Sequence, residues 1–161
     1  MALTRINNQA LPTISSSKLP AGSIVQTVQT TTSATWYNSS ANTFQDVTDA
    51  GVSITPSSSS NKVLITYSAW GIINGSGVIG MKLLRGSTDI HQMESLVNDL
   101  SWNQGCYAFS FLDSPSTTSA TIYKIQAASQ NATANAEFRV NYNSSISGTP
   151  QSTLIAQEIV G

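Results

Sequence analysis

Charge is what this sequence has least of. Only 9% of its 161 residues are charged, and they nearly cancel, seven Lys and Arg against eight Asp and Glu for a net of −1. Soluble domains average about 25% charged residues, so the polar surface here must come from Ser, Thr, Asn and Gln. The cations stand singly, at Arg5, Lys18, Lys62, Lys82, Arg85, Lys124 and Arg139. No basic stripe can neutralise a row of phosphates, which argues against a nucleic-acid partner. Disorder would need low hydrophobicity with high net charge; at 40% hydrophobic and with apolar residues in a regular pattern, the chain is expected to fold. A surface so poor in charge repels its neighbours weakly, which suits a permanent assembly.

Cysteine is nearly absent too. Cys106 is alone, so there is no intrachain disulfide, and a buried, unreactive thiol is the expected state. No apolar run reaches the length of a signal peptide or a membrane span, so folding in a reducing cytoplasm, with no membrane partner, is the expectation. Asn38, Asn131 and Asn143 begin Asn-x-Ser/Thr triplets, which arise by chance in so Asn/Ser/Thr-rich a chain.

The catalytic inventory is equally thin. His91 is the only histidine, so any Ser–His–acid arrangement must use it. Alternation puts Asp89 and His91 on one strand face with Glu94 nearby. Those three could hold a metal, but they read better as a solvated edge. Asp46 and Asp49 in FQDVTDAG read as a turn that bonds its own backbone. GIINGSGVIG has glycines but lacks the lysine and following helix of a phosphate loop, and reads as a hairpin. The expectation is a protein without enzymatic activity, metal or cofactor.

What the sequence does have is a period of two. In KVLITYSAW, Val63, Ile65, Tyr67 and Ala69 point one way, and Leu64, Thr66, Ser68 and Trp70 the other. GCYAFSFL sets Tyr107, Phe109 and Phe111 against Cys106, Ala108 and Ser110, and AEFRVNY sets Phe138, Val140 and Tyr142 against Glu137, Arg139 and Asn141. Successive side chains of a strand leave opposite faces, so this alternation predicts half-buried strands. SIVQTVQTT, ATWY, VSIT, VIGMKLLR, TDIHQMESL, SATIYKIQAA and STLIAQEIV are further strands, separated by Gly, Asn, Asp, Ser and Pro clusters. A short helix competes only in IHQMESLVNDL, and strand or loop is preferred there. Eight to ten short strands with polar turns imply an all-β antiparallel sandwich or jelly roll over residues 23–161. Within it, SSSSNK after Pro56 is a solvated turn leading into a central strand. Residues 1–22 differ: isolated apolar residues among polar ones, with Pro12 and Pro20, read as an extended N-terminal arm that docks on something. Trp36, Tyr37, Trp102 and Tyr142 lie near strand ends or loops, where aromatics stack on sugar rings, anchor an interface or pack at the sandwich mouth.

The blocks LPAGSIVQTVQ, ITPSSSSNKVLITYSA, KLLRGSTDI, FLDSPSTTSATIYKIQ and STLIAQEIVG, in this order and spacing, resemble small jelly-roll virion proteins of tailed bacteriophages of the cyanophage and marine type. The resemblance covers Leu19 to Gly161. It implies a homotrimeric structural protein on the outer surface of the virion, synthesised in the host cytoplasm. Its role would be that of a capsid decoration (cement) protein. Leu3, Ile6, Leu11, Ile14 and Leu19 of the arm would fill grooves of the major capsid protein, and Arg5 and Lys18 would pair with its carboxylates. The alternative within the same resemblance is a tail-fibre head that recognises host surface glycan through Trp36, Tyr37, Trp102 or Tyr142. The sequence has no shaft repeats or coiled coil before the head, which departs from the long-fibre pattern.

Overall fold

The computed structural model describes residues 18–38, 40–74, 77–97, 102–131, 137–142 and 148–161. Ten strands follow one another: β1 Ile24–Thr32, β2 Trp36–Asn38, β3 Gln45–Ile54, β4 Lys62–Asn74, β5 Gly77–Arg85, β6 Thr88–Val97, β7 Trp102–Asp113, β8 Thr121–Asn131, β9 Glu137–Val140 and β10 Ser152–Ile159. The segment around His91 that could have been helical is strand β6. All pairs are antiparallel and form two sheets packed face to face, a β-sandwich.

The first sheet is built on β4. One edge of β4 pairs with β7 along its whole length; the other pairs with β10 from Lys62 to Ser68 and with β9 from Gly71 to Asn74. β1 adds beyond β10, and β2 beyond β9. The second sheet runs β3-β8-β5-β6. Among the eight longer strands the pairing is nested, β1 with β10, β3 with β8, β4 with β7, and β5 with β6.

Alternation positions the core as the sequence predicts. Val63, Ile65, Tyr67 and Ala69 of β4 are all at most 2% exposed and face Ile79, Met81 and Leu83 of β5 and Tyr123, Ile125 and Ala127 of β8. At about 25 cal/mol per Å² of apolar surface, such side chains contribute about 1.5–3 kcal/mol each when fully buried. The sheets come closest where β1 and β10 face β3, and β6 and β7 lie at the opposite edge. There Tyr107, Phe109 and Phe111 point inward but stay half-buried.

Three local expectations need correction. β4 and β5 belong to different sheets, so the two described ends of GIINGSGVIG lie in different layers and do not form a hairpin; the tight hairpin is the next one, β5–β6, where Gly86 at φ 60° takes the first of two turn positions. FQDVTDAG belongs to β3 from Gln45 onward, with a register shift between Asp46 and Gly51 and Asp49 at φ 57°. Asp46 accepts from Lys124 Nζ and Gln126 Nε2, both at 2.8 Å, on the neighbouring strand. The extra residues of the bulge take up the turn chemistry that the acids suggested. Cys106 is exposed on the outer face of β7, because the inward positions of that strand belong to its aromatics.

Candidate assembly surfaces

The chain leaves residue 18 and enters the sandwich at a clamped corner. Gly22 N donates to Val160 O, and Val160 N to Ser23 O, both at 2.9 Å. Directly inside lies Glu158, a fully buried carboxylate on β10. It accepts from Gln26 Nε2 on β1 at 2.6 Å, from Ser57 N and Ser57 Oγ at 2.7 Å, and from Asn61 Nδ2 at 2.6 Å. Gln26 Nε2 also reaches Thr55 O at 2.7 Å. Burial pushes the Glu158 carboxyl up, but the bonds from Asn61, Gln26 and Ser57 outweigh it and hold the group below its ordinary range. The serine tract is therefore only in part a solvated turn, since buried Asn61 and the exposed Ser57 both bond Glu158 and fix it on the last strand. Leu19 and Ala21 line a cleft of about 430 Å³ with Ser57, Ser60, Asn61 and Val160. Lys18 is exposed beside it. Of the other arm residues, Leu3, Arg5, Ile6, Leu11 and Ile14 lie outside the described residues.

The two outer faces of the sandwich differ in charge. On the first sheet, register aligns three rows of four outward residues across β1, β10, β4 and β7. They are Thr27–Gln157–Leu64–Leu112, Gln29–Ile155–Thr66–Ser110 and Thr31–Thr153–Ser68–Ala108. None is charged. Neighbouring side chains bond along the rows: Gln157 Nε2 to Thr27 Oγ1 at 3.3 Å, Thr66 with Ser110 at 3.2 Å, and Thr31 with Thr153 at 3.3 Å. Lys62 stands beyond one end of the grid and Arg139 beyond the other. The second sheet carries the charge outward: Lys82 pairs with Asp89, Lys124 with Asp46, and Glu94 lies alongside. A third ion pair, Arg85 with Asp113, closes one end of the sandwich, and the Tyr123 hydroxyl donates to the same carboxylate at 2.7 Å.

The four aromatics singled out in the sequence separate. Trp36 is 7% exposed and packs edge-on against Phe138, so it belongs to the core because its strand β2 turns it inward. Tyr37, the next residue, is 59% exposed and pairs across strands with Arg139. The Arg139 guanidinium in turn sits 4.3 Å over the ring of Tyr142. Trp70, which sequence reasoning treated only as an outward position, is exposed on the same face of β4. Its signal was already present in the alternation of KVLITYSAW. Trp102 pairs with Asn74 through its backbone, and its side chain lies outside the described residues.

His91 does not gather acids. A register shift in the β5–β6 pair sets Asp89 opposite Leu84 and His91 opposite Leu83. The bulge at Ile90 reverses the alternation, so Asp89 turns outward to Lys82 while His91 turns inward. Its ring lies 5.0 Å from Phe111, stacked, and 5.4 Å from Phe109. Among the described residues no three of His, Cys, Asp and Glu come together in a way that could hold a metal. Asn38, of the first glycosylation triplet, is buried, and its amide donates to Thr43 O at 2.7 Å.

No protein-family model matches the chain, and no curated protein matches it.

Proposed function

We propose that this chain is a structural protein of a tailed-bacteriophage virion, a homotrimeric jelly roll that decorates the capsid and is anchored to the major capsid protein by its N-terminal arm. The nested pairing of the eight longer strands supports the jelly-roll reading, because one long antiparallel ribbon rolled on itself pairs its first strand with its last. The observation that carries the docking role is the clamped corner. An arm transmits load only if its root is fixed, and here the root is tied to Val160, just past β10, by two backbone bonds and backed by the Glu158 cluster. Three arms on one trimer would turn weak individual docking into firm attachment through effective concentration.

The test is deletion of residues 1–21, followed by co-sedimentation with particles that lack the protein. Circular dichroism of the truncated chain should keep its strand signature while particle binding is lost. Undiminished binding by the truncated chain would overturn the docking role.

A second reading, a tail-fibre head that recognises host glycan, is favoured by exposed Tyr37 and Trp70 beside the half-buried Arg139 and Tyr142. On that reading Tyr37→Ala abolishes adsorption of the free protein to host cells, whereas on the decoration reading the free protein does not adsorb.

A further inference from the structure

We infer that copies of this chain meet one another through the uncharged outer face of β1, β10, β4 and β7, turned inward to the axis of the oligomer. The inference rests on the homotrimeric reading above and names its contact surface.

Three observations carry it. First, charge is segregated: the ion pairs Lys82–Asp89 and Lys124–Asp46 are on the opposite sheet, and the grid between Lys62 and Arg139 has no charged side chain. Burying a charge without a partner costs several kcal/mol, so this is the face that can be taken out of water without that cost. Second, the chemistry is self-complementary. The face consists of Thr, Ser and Gln with Leu64, Ile155 and Leu112 among them. A hydroxyl or a carboxamide is donor and acceptor at once, so two copies of such a surface can satisfy each other in many alignments. An average foreign surface would bring charged residues at about 25% and find no counter-charge here; the chain's own face brings none. Third, the area pools at the axis. Four strands about 4.8 Å apart and about seven residues long, at about 3.4 Å each, make a plane of roughly 450 Å² before side-chain relief. Turned to a threefold axis each face is shared between two neighbours, so the three together remove roughly 1,350 Å² from water. Exposed Trp70, the next outward residue of β4 past the grid, extends the apolar share.

The sole thiol is a built-in reporter. Cys106 is exposed in the single chain and lies on this face opposite Trp70. The experiment compares the full chain with Thr66→Lys at the centre of the grid and with Gln126→Lys on the other sheet. Mass is read by light scattering after size exclusion, and Cys106 reactivity with a soluble aromatic disulfide. The wild type and Gln126→Lys should be trimers whose thiol reacts at least about tenfold more slowly than in the denatured chain. Thr66→Lys should be a folded monomer with a fast thiol. A trimer whose thiol is fast in the wild type, or one that Thr66→Lys leaves intact, would overturn the assignment of this face while leaving the trimeric reading in place. A wild type that is monomeric would overturn both, and particle co-sedimentation then shows separately whether the docking role survives. The wild-type thiol rate decides the matter even if the lysine variant does not fold.

Discussion

Asn61 Nδ2 donates to Glu158 Oε1 across 2.6 Å, tying the end of the serine turn to the last strand over 97 residues of sequence. The pair is the centre of a cluster in which every donor is neutral and the acceptor they share is charged.

That cluster sets a pH dependence. The Glu158 carboxyl is held below its ordinary value in the folded chain, so the unfolded chain binds the proton more tightly. Its contribution to stability is complete above the unfolded pKa of about 4.3 and is lost as pH falls through the lower folded value. Urea denaturation from pH 7 to pH 3 should show a falling midpoint over the acid part of that range. Glu158→Gln should flatten this part of the profile and cost about 1–3 kcal/mol at pH 7, because an amide nitrogen then faces donors.

Two buried tyrosines separate a bonded hydroxyl from an idle one. Tyr123 donates to Asp113 at 2.7 Å, and burial together with that carboxylate raises its pKa. Burial pushes Tyr67 up to about 12; its hydroxyl lies beside Ser152 but without the alignment of a hydrogen bond. Tyr123→Phe should therefore cost about 1.5–3 kcal/mol in chemical denaturation, the range for a bond to a charged group. Tyr67→Phe should stay within about 0.5 kcal/mol of the wild type.

Gly71 and Gly80 make a similar contrast. A Cβ at Gly71 would lie 2.7 Å from Tyr107 Cε2 and 2.8 Å from Phe138 Cε2, two rings already packed edge to face. Gly71→Ala should cost about 1–3 kcal/mol through overpacking. A Cβ at Gly80 would meet only the tip of Phe44, at 2.8 Å, a half-buried ring on the outer face that can swing aside. Gly80→Ala should cost clearly less, and thermal melts of the two variants rank them directly.

Asn141 combines a strained backbone with three side-chain bonds. At φ 57° it follows β9, and its amide donates to Thr32 O, Ala34 O and Ser152 Oγ at 3.1, 3.3 and 3.0 Å. Asn141→Gly keeps the conformation and loses the bonds; Asn141→Ala loses both. The alanine variant should be the less stable by about 1–2 kcal/mol, the cost of a Cβ in the left-handed region, as measured by the difference in denaturation midpoints.

Much of the sandwich was legible because alternation is a local signal. Val63, Ile65 and Tyr67 declared their inward face, and all the strands but β3, which starts at Gln45 well before the predicted VSIT, fall within or close to the predicted segments. Places where alternation breaks were not legible. The shift at Ile90 that parts Asp89 from His91, and the bulge that makes FQDVTDAG a strand, depend on which partner strand lies alongside. The same holds for the outer grid. Thr27, Gln157, Leu64 and Leu112 look unrelated in sequence, and only the strand order places them in one row. Glu158 gave no sign of being buried, since its donors are a glutamine 132 residues away and a turn that reads as solvent-facing.

The nested pairing has a kinetic consequence. Among the described strands only β5 and β6 join a sequence neighbour through a two-residue turn; each outer pair is expected to follow the one inside it, with β1 meeting β10 last. Loop-closure entropy mounts with every such step, so the chain should fold slowly for its size, with the outermost ribbon the rate-determining annealing event. Until that ribbon anneals, β4 lacks its β10 neighbour and presents a bare central edge, which makes newly synthesised protein prone to aggregate when it is produced quickly.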